Sequence, residues 1–267
     1  MSESARALSV AVEAAHVAGA ILLKGLGTLK KTDVALKGES DWVTSLDRAS
    51  EKAVIRVLTK AFPDHTVKAE ESAPKAAASS CQWLIDPLDG TSNYIHQFPM
   101  FCVSIALLKD GFLEVGVVYD PQKKELFTAR RGHGAWLNGR PIRVSRHLTL
   151  KEGMLATGFP FRAKKLFPLY HESFRQIFLR TGTIRRAGSA ALDLAYTACG
   201  RVDGFWEMAL APWDMAAGAL LIQEAGGRVT DFYGRKKFLE TGHIAAGNPA
   251  IHRQLTRILT PIFRGKL

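Results

Sequence analysis

The chain has 267 residues, 47% hydrophobic and 23% charged, proportions that supply one large core or two moderate ones and exclude a disordered chain. Its net charge of +11 and pI near 9.7 suit anionic ligands, yet the basic residues fall in short scattered clusters such as Lys30-Lys31, Arg130-Arg131 and Arg185-Arg186. A solvated surface explains most of them, leaving anion steering or a macromolecular partner as the alternative. In chain order, small and apolar residues at helical spacing (Leu8, Ala11, Val12, Ala15, Ala18, Gly19, Leu22) predict a first helix that Gly25 and Gly27 end. Lys37 to Asp47 is polar and contains glycine, so it reads as a loop or hairpin of the kind that carries ligands. A second helix is predicted from about Leu46 to Ala61, closed by Pro63. Val67 to Ser72 ends in the paired acids Glu70 and Glu71, and Trp83-Leu84-Ile85 reads as an apolar strand.

From Cys102 to Val144 strand runs alternate with turn signals at Lys109-Asp110-Gly111, Asp120-Pro121 and Asn138-Gly139, which predicts an antiparallel meander. Helices and strands then alternate. Helices are expected near Phe167 to Arg180, near Ser189 to Cys199, beside Asp214 and from Pro249 onward. Strands are expected at Gly204 to Glu207, Gly227 to Asp231 and His243 to Ala246. This divides the chain into an α+β half, residues 1–145, and an α/β half, residues 146–267. No apolar run reaches the roughly 18 to 20 residues of a membrane span, and the N-terminus lacks a signal-peptide layout, which predicts a cytoplasmic protein without membrane association. Cys81, Cys102 and Cys199 are too widely spaced for a disulfide framework or a Cys-based zinc site and read as small core residues. His65, His133 and His243 lie near turns without ligand-like spacing to one another, so no histidine is expected to bind metal.

Chemistry concentrates at the end of the Trp83 strand. Asp86 and Asp89 stand three residues apart across Pro87, and two carboxylates held this closely repel each other unless a cation shares them. A hard metal, magnesium above all, fits such a pair. Gly90 and Thr91 follow, and glycine lets backbone N–H groups approach a phosphate. An Asp-rich turn is the plain alternative. Paired acids at Glu70-Glu71 and the Trp213-Asp214 pair before a helix of small residues weigh against it.

The segments DWVTSLD (41–47), EES (70–72), DPLDGTSNYIH (86–96) and WDMAAGALLIQEAGG (213–227) resemble the inositol monophosphatase family in order and spacing, over nearly the whole chain. LATGFPF (155–161) and RRAGSAALDLAYTACGRVDGFWE (185–207) resemble its bacterial, SuhB-type branch. Ser92 and Tyr94 depart from the residues more usual there, and neither is an expected ligand. The resemblance implies a layered αβαβα sandwich, hydrolysis of inositol 1-phosphate or a related monoester, inhibition by lithium, and two or three Mg²⁺ per subunit. By it, Glu70, Asp86 and the Leu88 carbonyl hold one ion, while Asp86, Asp89 and Asp214 hold a second. A water on the first ion would be oriented by Glu70 and by the Thr91 hydroxyl, itself bonded to Asp47. Phosphate would lie on the N–H groups of Gly90 and Thr91. Glu207, with Gly188, Ser189 and Ala190, would receive the substrate's hydroxyls, and no phosphoenzyme is implied. Asp47 is equally read as a plain N-cap of the following helix, and Glu71 as a supporting or surface residue. The resemblance further implies a homodimer and admits a second role, association with RNA polymerase, antitermination factors or RNA. Relatives acting on fructose 1,6-bisphosphate, histidinol phosphate or nucleotides share the same implied metal site.

Overall fold

The structure, a computed structural model, describes residues 2–38, 41–72 and 79–267. The first helix, α1 (Glu3–Gly25), starts where the Ser2 hydroxyl accepts the Ala5 N–H, and Glu3 complements its positive end. Its face of Ala7, Ala11, Ala14, Ala15, Ala18 and Leu22 is fully buried. By length and composition α1 could cross a membrane, although its apolarity is spread over alanines and makes no unbroken run. Here that alanine face is core, packed with Val54 and Leu58 of α2 (Ser45–Ala61) and with Val115 and Val117 of a sheet.

Between the two helices, β1 (Val34–Gly38) and β2 (Asp41–Thr44) pair antiparallel; the loop or hairpin expected over Lys37 to Asp47 takes in the end of β1, all of β2 and the first turn of α2, with residues 39–40 outside the described residues. A seven-stranded sheet follows in chain order: β3 (Thr66–Ala69), β4 (Cys81–Asp89), β5 (Cys102–Lys109), β6 (Phe112–Asp120), β7 (Glu125–Arg130), β8 (Ala135–Leu137) and β9 (Arg140–Pro141). All its pairings are antiparallel except β3 with β4. The short helix α3 (Thr91–Ile95) interrupts it after β4.

The second sheet is mixed. Its strands β10 (Met154–Thr157), β11 (Thr183–Arg185), β12 (Gly204–Glu207), β13 (Arg228–Thr230) and β14 (Ile244–Gly247) take the order β11-β10-β12-β14-β13. The helices of this half are α4 (Phe167–Phe178), α5 (Ala190–Ala198), α6 (Pro212–Glu224), α7 (Phe238–Thr241) and α8 (Pro249–Phe263). Helices α5 and α6 lie between the two sheets, while α4 and α8 cover the outer face of the second. The layers are therefore α1/α2, sheet, α5/α6, sheet, α4/α8, the αβαβα sandwich the resemblance implied. One continuous core joins Val118 and Phe127 of the first sheet, Leu194 and Leu220 of the central helices, and Phe205 and Ala246 of the second sheet. The chain passes from one sheet to the other between Pro141 and Met154, yet both halves share that core. Glycines permit the close approach: a Cβ on Gly116 of β6 would sit 2.9 Å from the Ala217 carbonyl, and one on Gly218 of α6 2.4 Å from Leu194 Cβ.

Candidate active site

Four acidic side chains from three separated segments converge at the end of β4. Parallel pairing of β3 with β4 sets Ala69 opposite Ile85, and the Glu70 N–H donates to the Ile85 carbonyl at 3.2 Å, so Glu70 leaves its strand beside Asp86. On the other side Asp86 faces Ser104 of β5, whose hydroxyl donates to the Trp213 carbonyl at 3.1 Å. That bond pins the start of α6, and with it Asp214, against the same strand end. Asp214 also caps α6 by accepting the Ala211 N–H at 2.8 Å. The strand register breaks between Asp86 and Asp89, which displaces Asp89 toward α5. There its Oδ2 accepts the Ser189 hydroxyl at 2.5 Å and the Ala191 N–H at 2.8 Å.

Burial, with the charges of Glu70, Asp89 and Asp214, raises the Asp86 carboxyl well above the usual range. Burial likewise raises Asp89, and pushes Asp214 up to about 7 against the opposing pull of Arg162. Among the described residues, Lys37 and Arg162 supply positive charge. Arg162 places one nitrogen 2.8 Å from Glu70 and another 3.6 Å from Asp214, and Lys37 reaches Glu70 at 3.1 Å and Glu71 at 2.6 Å. The Leu88 carbonyl, buried beside the acids, accepts the Thr91 hydroxyl at 3.1 Å. Crowded carboxylates with a carbonyl make an all-oxygen, charge-dense donor set, which fits a hard divalent cation such as Mg²⁺.

Next to this set, Thr91 opens α3. The Thr91 hydroxyl lies 2.9 Å from Asp47 Oδ1, while Asp47 Oδ2 accepts the Thr44 N–H at 2.9 Å and the Thr44 hydroxyl. Asp47 is thus the third residue of a capping box whose N-cap is Thr44, which corrects its reading as the N-cap itself. Both interactions coexist because they use different oxygens. Gly90 has φ +92°, and a Cβ there would lie 2.8 Å from the Met100 carbonyl, so the turn from strand to helix requires glycine. Glu71 is not a surface residue: its side chain is buried against Lys37, and its N–H donates to Glu51 at 2.7 Å.

The same cleft is lined by Gly188, Ser189, Ala190 and Glu207, so every residue expected at the substrate rim borders it. Glu207 closes β12 with its carboxyl against Gly158, where a Cβ would fall 2.0 Å from it. Burial and the neighbouring Asp193 hold that carboxyl well above the ordinary glutamate range. Several contributors escaped the sequence reading. Asn93 Nδ2 donates to the Met100 and Ala187 carbonyls at 2.7 and 2.9 Å, which joins α3 to the loop carrying Gly188. Asp193 is a buried acid in a helix otherwise of Ala, Leu, Tyr and Thr, and its isolation in that apolar run was the available signal. Arg186 lies over the rings of Phe159 and Phe161, 5.3 and 5.0 Å from their centroids. Lys37 and Arg162 carried no local signal, since their partners are remote in the chain.

The sequence matches the inositol monophosphatase family over residues 3–264. It is 49% identical over 245 residues to the Nus factor SuhB of Salmonella typhimurium, covering 91% of this chain and 92% of that protein. Among solved structures, the extragenic suppressor protein suhB of Bartonella henselae superposes with a TM-score of 0.92 at 43% identity, covering 95% of this chain and 98% of the other. The inositol monophosphatase of Anabaena superposes with a TM-score of 0.88 at 42% identity, covering 97% of each. Motifs, layer order and full-length similarity agree: the chain belongs to the inositol monophosphatase family.

Proposed function

We propose that the chain is a Mg²⁺-dependent phosphatase of small soluble phosphate monoesters, with inositol 1-phosphate as its substrate. The convergence of Glu70, Asp89 and Asp214 on a cleft bordered by Thr91 and Glu207, with Asp86 buried behind them, carries this reading. Two or three Mg²⁺ held by these acids and the Leu88 carbonyl would neutralise the phosphate and acidify the attacking water. The residues of the chain do the rest. Thr91 shares its one hydroxyl hydrogen between Asp47 and the Leu88 carbonyl, so its oxygen lone pairs remain to accept a hydrogen bond from water, whose proton passes through the hydroxyl to the Asp47 carboxylate. Glu70 offers a second acceptor at the mouth of the same cleft. First-turn N–H groups of a helix have no intrahelical partner, so those of Gly90 and Thr91 are disposed to bind phosphate oxygens. Glu207 accepts hydrogen bonds from the hydroxyls of a polyol, which are all donors. Release of a free alcohol and phosphate follows without a phosphoenzyme. A panel of phosphorylated polyols assayed with Mg²⁺, with Li⁺ as the expected inhibitor, tests this. Preference for inositol 1-phosphate supports it, and preference for a bisphosphate, histidinol phosphate or a nucleotide removes the inositol assignment.

A second role rests on the relatives called Nus factors and on the charge of +11: a homodimer that binds transcription proteins or RNA. The Asp214→Asn variant separates the two. Hydrolysis collapses, while binding to RNA polymerase, antitermination factors or RNA persists if the second role holds and is absent in both forms if it does not.

A further inference from the structure

The seven-stranded sheet carries a second cluster of ligand-type side chains, at the far end of β4 from the acidic cleft. Glu3 begins α1, His65 lies between α2 and β3, and Cys81 begins β4. Their ligand atoms lie within 4.8 Å of one another, although the residues are far apart in the chain, which is why spacing gave no hint of them. A second observation concerns the imidazole. His65 Nδ1 is buried and, among the described residues, has no hydrogen-bond partner, while Nε2 stands 3.8 Å from Glu3 Oε1, beyond hydrogen-bond length. A side chain with 10% exposure thus keeps polar capacity unused, a cost of about 1–3 kcal/mol in a buried site.

We infer that Glu3, His65 and Cys81 form a zinc site that fastens the start of α1 to the beginning of β4 in the seven-stranded sheet. One thiolate, one imidazole and one carboxylate are borderline-soft donors that favour Zn²⁺, whereas the all-oxygen cleft suits Mg²⁺. Zinc ligands stand about 2.0–2.3 Å from the ion, so the three atoms close inward by roughly 1 Å on binding. Glu3 is exposed, which leaves room for that movement. Its other oxygen, Oε2, stays 2.7 Å from Lys109 Nζ, the kind of outer partner that orients a ligating carboxylate. The His65 ring is stacked on Phe62 with centroids 4.7 Å apart, which fixes its plane. Burial depresses the His65 pKa and keeps the imidazole neutral, as a ligand must be. The cleft beside the cluster, lined also by Asp64, Ser79 and Ser80, admits a water as fourth ligand, and binding releases the Cys81 thiol proton to solvent.

Titration of the full chain with Co²⁺ in excess Mg²⁺, followed by thiolate-to-cobalt absorption in the near ultraviolet, tests the site. Cys102 is the necessary control, because its sulfur lies 3.9 Å from Asp89 in the acidic cleft. The expected result is one equivalent of thiolate-bound Co²⁺ that disappears in Cys81→Ser and persists in Cys102→Ser. Affinity should fall about tenfold or more in His65→Gln and in Glu3→Gln, the latter a surface change that leaves folding intact. Absence of the band in the unaltered protein, its survival in Cys81→Ser, or indifference to both Glu3→Gln and His65→Gln overturns the assignment.

Discussion

The Asp47–Thr91 pair joins stability and chemistry in one carboxylate, and substitutions separate them. Thr91→Ser keeps the hydroxyl and should retain activity within about tenfold, whereas Thr91→Ala should lose about 10²–10⁴ in kcat with little change in Tm, the range expected when a proton-handling group is removed. Asp47→Ala should lose activity as well, and in addition about 1 kcal/mol from the broken capping box. Steady-state kinetics beside thermal melts distinguish these outcomes, and equal stability of all three variants contradicts the dual role. A second residue, His252, contributes a pH-dependent term to stability. Burial, assisted by Arg228, lowers the His252 pKa to about 4, and its Nε2 bonds the Thr230 hydroxyl at 2.9 Å. The folded state therefore binds its proton later than the unfolded chain does. This stability is fully present above the unfolded pKa of about 6.5 and is lost as pH falls toward 4, by on the order of 3 kcal/mol. The raised carboxyls of the cleft gain stability over the same range, so the loss is read as a difference: in denaturant unfolding between pH 7 and 4 the unaltered chain should lose about 3 kcal/mol relative to His252→Gln.

At the scale of elements, the interface of α5 with α6 fixes the distance between Asp89's partners and Asp214. Gly218 lets Leu194 pack against the α6 backbone, and the Cβ of Gly218→Ala would sit 2.4 Å from Leu194 Cβ. Alanine favours a helix over glycine by about 1 kcal/mol, but overpacking costs about 1–3 kcal/mol, so a net loss of stability is expected in chemical denaturation. A stabilised variant would contradict the packing. The long elements were legible in the sequence because their period was clean: alanines at helical spacing in α1, and alternating runs with Asp-Gly and Asn-Gly turns in β5 to β8. The strands β10 and β11 were not: Met154–Thr157 is buried nearly throughout and so shows no alternation, and Thr183–Arg185 is a mostly exposed strand at the sheet's edge. The membrane-like hydropathy of α1 was missed for a different reason, since its many alanines raise an average without making a run.

For the whole molecule, the site exists because the layers align three distant segments: β3 and β4 carry Glu70, Asp86 and Asp89, the central α6 brings Asp214, and the second sheet brings Glu207. The ordered motifs and their resemblance to the family made these acids legible in the sequence. The surrounding cations and clamps, Lys37, Arg162 and Asn93, were not, because only the packing of hairpin, loop and helix creates their contacts. Both sheets share one core, which holds the two walls of the cleft together. The most direct test of the account is a Mg²⁺ titration of inositol 1-phosphate hydrolysis by the unaltered chain and by Asp86→Asn. The account predicts no turnover in a chelator, a saturable rise with Mg²⁺, and a loss of about a thousandfold or more in Asp86→Asn at saturating Mg²⁺, matching the several kcal/mol that metal charge supplies. Undiminished hydrolysis in the chelator, or retained turnover in Asp86→Asn, would contradict it.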